Sequence, residues 1–139
     1  MERVYGTCVA INGKAVLFRG PSGSGKSDLA LRVIEAGGQL VADDQTVLTR
    51  ESERLVAICP DPISGQIEVR GIGIVPVDTV RRAPLALVMD LVPPEQVERF
   101  PEPGLCRYLD IAIPLLTIAP FEISAVAKVR LALSFVETR

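Results

Sequence analysis

The residues with the most specific chemistry form a glycine-rich segment near the amino terminus. Residues 20–27 read Gly20-Pro21-Ser22-Gly23-Ser24-Gly25-Lys26-Ser27 and match the phosphate-loop pattern G-x-x-x-x-G-K-[S/T] in full. Glycines let the backbone turn tightly, so that successive N–H groups point at phosphate oxygens. Lys26 supplies a positive charge for the β- and γ-phosphates, and the Ser27 hydroxyl is a ligand for magnesium. The segment therefore predicts a site for a nucleoside triphosphate with Mg²⁺.

The elements on either side of this segment support the same prediction. Residues 15–19 form a short apolar run typical of a strand, and residues 27–34 have the pattern of a helix. The phosphates would then lie at the amino terminus of a helix, where unpaired N–H groups and the helix dipole favour anions. A glycine- and serine-rich turn without a ligand is the alternative, and the agreement of strand, loop and helix argues against it.

A nucleotide site of this kind also needs carboxylates, and the first candidates are Asp43 and Asp44. They follow a short strand predicted over 39–42, at the edge where ligands gather in open α/β sheets. Neighbouring strand residues point in opposite directions, so a turn after Ala42 is needed to bring both side chains to one ligand. A solvated acidic turn is the alternative interpretation.

Two further carboxylates compete for the same role. Glu68 shares one face of an alternating strand with Arg70, and a solvated pair of charges would give the same pattern. Asp90 ends the apolar run 85–89, which resembles the strand-plus-Asp element that holds magnesium in many phosphate-loop enzymes. Spacing alone does not decide between Asp90 and Asp43.

The composition excludes several classes of function. With 139 residues, of which 48% are hydrophobic, the chain is expected to form a single domain over 1–139. A formal net charge of −2 and the lack of a basic run argue against nucleic acid as a partner. The chain has no histidine, which excludes a histidine base and a histidine-ligated metal. Acid–base chemistry must therefore come from a carboxylate, a lysine, a tyrosine or a cysteine.

The same composition bears on the compartment. The three cysteines, Cys8, Cys59 and Cys106, form no C-x-x-C pair, which favours reduced thiols in a cytoplasmic protein. The first residues lack the apolar stretch of a signal peptide, and no apolar run reaches membrane-spanning length. We therefore expect a cytoplasmic location and no contact with a membrane.

The hydrophobic pattern predicts many short strands and two helices. The chain should form an α/β domain with a mixed sheet, because the strands outnumber the helices and do not alternate with them regularly. The predicted strands are 4–11, 14–19 (joined to the first by an Asn12-Gly13 turn), 39–42, 46–49, 55–59, 66–70 and 85–89, followed by one or two strands over 109–118 that break at Pro114. The helices are 26–35 and 124–137; residues 60–65 and 93–104 are predicted loops.

Three segments together resemble HPr kinase/phosphorylase: residues 20–31, 40–44 and 67–74. The phosphate loop alone is not specific, but the acidic pair at this distance followed by an E-x-R-G-x-G segment is much more so. The resemblance covers nearly the whole chain and corresponds to the family's catalytic domain, in the short form without the additional amino-terminal domain of longer members. It implies a nucleotide-binding fold like that of phosphoenolpyruvate carboxykinase, with a mixed sheet and a phosphate loop.

The resemblance also implies an activity and assigns roles. The family uses ATP and Mg²⁺ to phosphorylate a serine of HPr, a small phosphocarrier of the phosphotransferase system, and longer members also remove that phosphate. Lys26 then matches the residue that binds the β- and γ-phosphates, and Ser27 and Glu68 match the magnesium positions. Asp44 matches the general base that takes the serine proton, and Asp43 supports the site.

Other positions carry the comparison less directly. Arg99 matches a catalytic arginine, Asp90 becomes a strand-end residue, and the family implies a hexamer. Where the family usually has a histidine in its first strand, this chain has Tyr5. Residues 118–124 replace the basic loop that longer members use in dephosphorylation, which bears on the phosphorylase activity more than on the kinase activity.

Two other functions stay open at this point. One is a phosphate-loop kinase or nucleotide hydrolase that acts on a different acceptor. The other is a nucleotide-sensing regulator that binds ATP without turnover, which the missing histidine leaves open. Phosphate transfer to HPr would distinguish the first from the leading interpretation, and tight ATP binding without transfer would favour the second.

Overall fold

A computed structural model describes residues 1–60, 65–102 and 104–137. Within these residues the chain forms a mixed α/β fold with a nine-stranded sheet, a separate two-stranded hairpin and two α-helices. The sheet strands are β1 (Glu2–Tyr5), β2 (Thr7–Ile11), β3 (Lys14–Arg19), β4 (Gln39–Ala42), β5 (Gln45–Glu51), β6 (Arg54–Ile58), β9 (Arg82–Leu91), β10 (Gly104–Tyr108) and β11 (Ile111–Ile118). The hairpin is β7 (Gln66–Val69) and β8 (Gly73–Pro76); the helices are α1 (Lys26–Glu35) and α2 (Ala125–Glu137).

The sheet topology brings four loops to one edge. The strands follow the order β1-β5-β6-β9-β3-β2-β4, and β11 lies beside β9 with β10 next to it. Strands β3 and β11 are parallel to β9, and β4 has the same direction because β2 is antiparallel to both β3 and β4. The carboxyl ends of β3, β4, β9 and β11 therefore share an edge, which we call the carboxyl edge. Residues 20–25, 43–44, 92–102 and 119–124 leave from it.

The core has one layer on each face of the sheet, because successive strand residues point to opposite sides. On one face Val16 and Phe18 of β3 pack in the same cluster as Leu29 and Val33 of α1. On the other face Leu17 lies in a second cluster, to which β2, β4, β5, β6, β9, β10 and β11 also contribute. The β7–β8 hairpin adds its buried Ile67 to the helical layer. The helical layer packs α1 against β3, which positions the loop between them.

Most of the predicted elements are confirmed. The Asn12-Gly13 turn joins antiparallel strands, with Ile11 opposite Lys14. The first helix spans Lys26–Glu35 as expected, the described part of the predicted 93–104 loop contains one 3₁₀ turn (Pro94–Gln96), and β10 begins at Gly104. The second helix begins at Ala125, one residue later than predicted. The predicted loop over 60–65 includes residues 61–64, which lie outside the described residues.

Two predictions about strands are wrong. The expected strand over 4–11 is two strands, because the chain turns at Gly6: β1 pairs with β5, whereas β2 pairs with β3 and β4. A Cβ at Gly6 would lie 2.8 Å from the carbonyl oxygen of Phe18, so this close approach requires glycine. The expected break at Pro114 is absent, since β11 is continuous there. Pro114 faces Leu105 of β10, and pairing with β9 begins only at Leu115, where a backbone N–H is available.

No α-helix in the described part of the chain combines the length and the apolar character that a membrane span requires.

Candidate active site

The phosphate loop leaves β3 at the carboxyl edge and ends at the first turn of α1. Gly23 and Gly25 have φ of 83° and 99°, a left-handed region that favours glycine. Gly25 is the N-cap of α1, and its carbonyl accepts the first helical hydrogen bond from Leu29 at 2.9 Å. The structure thus gives this sequence the strand–loop–helix geometry in which the first N–H groups of a helix face an anion.

Two polar side chains of the loop are suited to phosphate. The Lys26 ammonium donates to the carbonyl oxygens of Gly20 at 2.6 Å and Pro21 at 3.1 Å, which holds its charge at the loop. The Ser24 hydroxyl is buried and has no hydrogen-bond partner among the described residues. A buried hydroxyl without a partner is costly, and a phosphate oxygen in the loop would satisfy it. The loop therefore fits the phosphate groups of a nucleotide.

The structure brings Ser27 and Asp43 together. The Ser27 hydroxyl donates to Oδ1 of Asp43 at 2.7 Å, and the Thr7 hydroxyl donates to the same oxygen at 3.0 Å. These three residues come from α1, the end of β4 and the start of β2. A hydroxyl and a carboxylate side by side next to a phosphate loop form the kind of oxygen pair that hard cations such as Mg²⁺ prefer.

Asp44 lies in the tight turn that the acidic pair required. Its φ is 67°, and the N–H of Gln45 donates across the turn to the carbonyl of Asp43 at 2.7 Å. The Asp44 N–H donates to the Thr7 hydroxyl at 3.2 Å, and its carbonyl accepts from the Gly6 N–H at 2.8 Å. The backbone of Asp44 is thus held at both ends while the residue itself is exposed. Its carboxylate is accessible to an acceptor that approaches from solvent.

Thr7 is the site residue that the sequence did not reveal. Among the described residues two polar residues are buried as a whole, Thr7 and Thr46, and both form hydrogen bonds at this turn. Thr7 contacts both acidic residues, and the Thr46 hydroxyl donates to the carbonyl of Gly6 at 3.0 Å. The available signal was a hydroxyl in an otherwise apolar strand, directly after a glycine, at the edge where the acidic pair was expected.

Asp90, the rival magnesium ligand, is held elsewhere. The Arg19 guanidinium donates to its Oδ1 at 2.7 Å and its Oδ2 at 3.0 Å, and the same guanidinium donates to the Tyr108 hydroxyl at 2.8 Å. Hydrogen bonding to Asp90 raises the pKa of Arg19, and burial raises the pKa of Tyr108. These hydrogen bonds link β3, β9 and β10 at the residue that precedes the phosphate loop. The carboxylate beside Ser27 is therefore that of Asp43.

Glu68, Arg99 and Tyr5 are exposed, and the roles predicted for Glu68 and Arg99 stay predictions. Glu68 lies on β7, whose Ile67 is buried in the helical layer. Arg99 follows β9 at the carboxyl edge, with its guanidinium 5.3 Å from the centroid of the Phe100 ring. The described residues contain no group of three or more Asp, Glu, Cys or His side chains placed to share a metal ion.

The segment between β11 and α2 covers the other side of the phosphate loop. A Cβ built on Gly25 would lie 2.8 Å from Cζ of Phe121 and 3.5 Å from Cγ of Pro120, so both rings pack directly on the loop. Arg32 of α1 donates to the carbonyl of Pro120 and forms an ion pair with Asp28 at 3.0 Å. Phe121 nevertheless remains 71% exposed.

Comparison with known proteins gives a consistent result. Residues 1–119 match the family model of the HPr Serine kinase C-terminal domain. The chain is 36% identical over 127 residues to an HPr kinase/phosphorylase of Geobacillus thermodenitrificans, an alignment that covers 83% of this chain and 41% of the relative. It is 38% identical over 127 residues to an HPr kinase/phosphorylase of Halalkalibacterium halodurans, with the same coverage.

A solved structure extends the match to the whole fold. The HPr(Ser) kinase/phosphatase of Coxiella burnetii superposes with a TM-score of 0.86 at 28% identity, covering 99% of each chain. The predicted mixed sheet with two helices is thereby confirmed. The chain spans about two-fifths of the length of the curated relatives it matches. With the family model covering residues 1–119, the chain belongs to the HPr serine kinase C-terminal domain family.

Proposed function

We propose that this protein is an ATP- and Mg²⁺-dependent kinase that phosphorylates a serine of the phosphocarrier protein HPr. One observation carries the proposal: Ser27 at the end of the phosphate loop shares a hydrogen bond with Asp43, and Asp44 presents an exposed carboxylate in the next position. Phosphate binding, a cation site and a base are thus adjacent. The names of the relatives, HPr kinase/phosphorylase and HPr(Ser) kinase/phosphatase, support HPr as the acceptor.

The transfer follows from the positions of these groups. The loop N–H groups and Lys26 hold the β- and γ-phosphates and neutralise their charge. The serine hydroxyl of the acceptor attacks the γ-phosphorus while the bond to the β,γ-bridging oxygen breaks. Asp44 accepts the serine proton, so phosphoserine and ADP are the products. With no histidine in the chain, a carboxylate is the group best suited to be this base.

The cation site fits Mg²⁺. Ser27 and Asp43 would hold the ion together with phosphate oxygens, and Glu68 is the further ligand that the family resemblance predicts. When bound, Mg²⁺ neutralises charge on the phosphates. Thr7 serves this site by donating to Asp43, which leaves the carboxylate oriented toward Ser27.

A protein acceptor is favoured over a small molecule by the surface of the carboxyl edge. Phe100 and Ile123, in two of the loops that leave this edge, are 83% and 105% exposed. Large apolar side chains on a polar rim are typical of surfaces that bind other proteins. We extend the proposal to a cytoplasmic homo-oligomer, for which the family resemblance predicts a hexamer. Dephosphorylation is proposed only as a secondary activity, since residues 118–124 lack the basic loop.

The experiment is a phosphotransfer assay on the purified protein with ATP, MgCl₂ and HPr. We expect mass spectrometry to detect phosphoserine on HPr and to identify the modified serine. An HPr variant in which alanine replaces that serine should receive no phosphate. ATP hydrolysis that does not depend on HPr would favour a hydrolase or a different acceptor. Tight ATP binding without transfer or hydrolysis would favour a nucleotide-sensing regulator. Incubating phospho-HPr with inorganic phosphate tests the reverse direction.

A further inference from the structure

The phosphate loop lies between two unlike neighbours on the carboxyl edge. Along this edge the strands follow the order β4, β2, β3, β9, β11. The acidic flank, residues 43–44 with Thr7, lies at the β4 side of the loop. The aromatic flank, residues 120–123, follows β11 on the other side. With about 4.8 Å between neighbouring strands, β4 and β11 each lie about 10 Å from β3.

The acidic flank sets the direction of a bound nucleotide. The γ-phosphate is the group that transfers, so it must face the base Asp44 and the Ser27–Asp43 pair. The nucleoside is attached at the opposite end of the triphosphate. Its exit from the loop is therefore directed away from the acidic flank, past Gly25 and the first turn of α1, where Phe121 packs.

The aromatic flank has the properties of a stacking surface. Phe121 is one of six aromatic residues in the chain and is 71% exposed, although it touches the N-cap of α1. The backbone that precedes it is held by α1, because Arg32 donates to the carbonyl of Pro120 and forms an ion pair with Asp28. An exposed aromatic ring beside a phosphate loop can stack on the planar base of the nucleotide, since every base offers a π-face.

We propose that Phe121 is the platform on which the base of the bound nucleoside triphosphate stacks. The inference rests on the proposed nucleotide-binding function and adds to it a residue that determines affinity for the nucleoside portion. Stacking reads the π-face and not the hydrogen-bonding edge of a base, so Phe121 contributes equally to ATP and GTP.

Binding measurements on four proteins test this assignment: the unaltered chain, Phe121→Ala, Phe121→Trp and the control Phe135→Ala. Phe135 is also an exposed phenylalanine, but it lies in the last turn of α2, at the end opposite residues 120–123. Isothermal titration with ATP, GTP and inorganic triphosphate, each with Mg²⁺, separates the base from the phosphates. We expect Phe121→Ala to weaken ATP and GTP about tenfold to a hundredfold and triphosphate less than about twofold. Phe121→Trp and Phe135→Ala should stay within about twofold for all three.

Other outcomes overturn the assignment. Equal losses for ATP and triphosphate in Phe121→Ala would show that the ring shapes the phosphate loop and does not contact the base. Unchanged ATP affinity would place the base elsewhere. The proposed kinase function fails separately: a protein that loses ATP affinity with Phe121→Ala but transfers no phosphate to HPr keeps the stacking assignment and loses the kinase. Absence of ATP binding by the unaltered chain would overturn both.

Discussion

The two flanks of the phosphate loop are built from opposite kinds of contact. The acidic flank is a hydrogen-bonded network in which Thr7 joins Asp43 to the backbone of Asp44, and Thr46 fixes the neighbouring Gly6. Its two threonines are fully buried. The aromatic flank depends on ring contacts with Gly25 and on one guanidinium, and its large side chains are exposed.

This difference assigns different tasks to the flanks. A satisfied polar network holds its members in one geometry, which a proton acceptor and a cation site need at the moment of transfer. An exposed ring on a short segment adds contact area for a ligand and does not contact the atoms that react. Substitutions in the acidic flank should therefore reduce the rate of transfer, whereas substitutions in the aromatic flank should reduce nucleotide affinity.

The largest effect is expected for Asp44→Asn. The amide cannot accept the serine proton, so phosphate transfer to HPr should fall at least about a hundredfold while ATP affinity stays nearly unchanged. Rapid-quench kinetics with ATP titrations measure both quantities. Asp110→Asn is a matched control, because Asp110 is also exposed with φ of 65° and lies before β11, at the opposite edge of the sheet. Unchanged transfer in Asp44→Asn would remove this residue as the base.

Lys26→Ala should affect the step that both flanks share. In the proposed function the Lys26 ammonium binds the β- and γ-phosphates, and hydrogen bonds to charged groups contribute about 1.5–3 kcal/mol. ATP and inorganic triphosphate should therefore both bind about tenfold to a hundredfold more weakly. Lys14→Ala is the control. Lys14 is the first residue of β3, and its ammonium forms an ion pair with Glu137. Normal ATP affinity of Lys26→Ala would show that the loop does not bind nucleotide as proposed.

The sequence predicted the acidic flank better than the aromatic one. The phosphate loop, α1 and the turn at Asp43-Asp44 are local features, because glycines, helical periodicity and paired aspartates act over a few neighbouring residues. Thr7 was missed because its partners are 36 and 37 residues away, and only the pairing of β2 with β4 brings them together.

Phe121 shows the same limit more strongly. Its contact with Gly25 depends on β11 lying parallel to β9. No local sequence pattern predicts this pairing of strands, and Pro114 within β11 argued against it. The turn at Gly6 was hidden for a related reason. Strand-forming residues continue through 4–11 on both sides of Gly6, and only the approach to the Phe18 carbonyl requires the chain to bend there. Non-local packing decided the elements that the sequence left undetermined.

Thr7→Val tests whether the hydrogen-bonded network matters for transfer beyond stability. Valine has the same shape, but it cannot accept from the Asp44 N–H or donate to the Asp43 carboxylate. The free energy of unfolding should therefore fall by about 1–3 kcal/mol, and the rate of phosphate transfer should fall about tenfold. Thr46→Val should lose a similar amount of stability with little loss of transfer, since Thr46 contacts Gly6 and neither carboxylate. Thr7→Ser should restore transfer. Equal kinetic losses in both valine variants would reduce the network to a structural role.

The smallest expected effect belongs to Arg32→Ala, and it connects the two parts of the aromatic flank. Arg32 positions Phe121 through the carbonyl of Pro120, but the Arg32–Asp28 pair is partly exposed, with side-chain exposures of 32% and 58%. Such pairs contribute about 0.2–1 kcal/mol, so ATP affinity should fall about twofold to fivefold and triphosphate affinity should not change. If Arg32 acts only by placing the ring, its effect must vanish in Phe121→Ala, and the double variant should bind ATP as weakly as Phe121→Ala alone. Independent, additive losses would mean that Arg32 contacts the nucleotide itself.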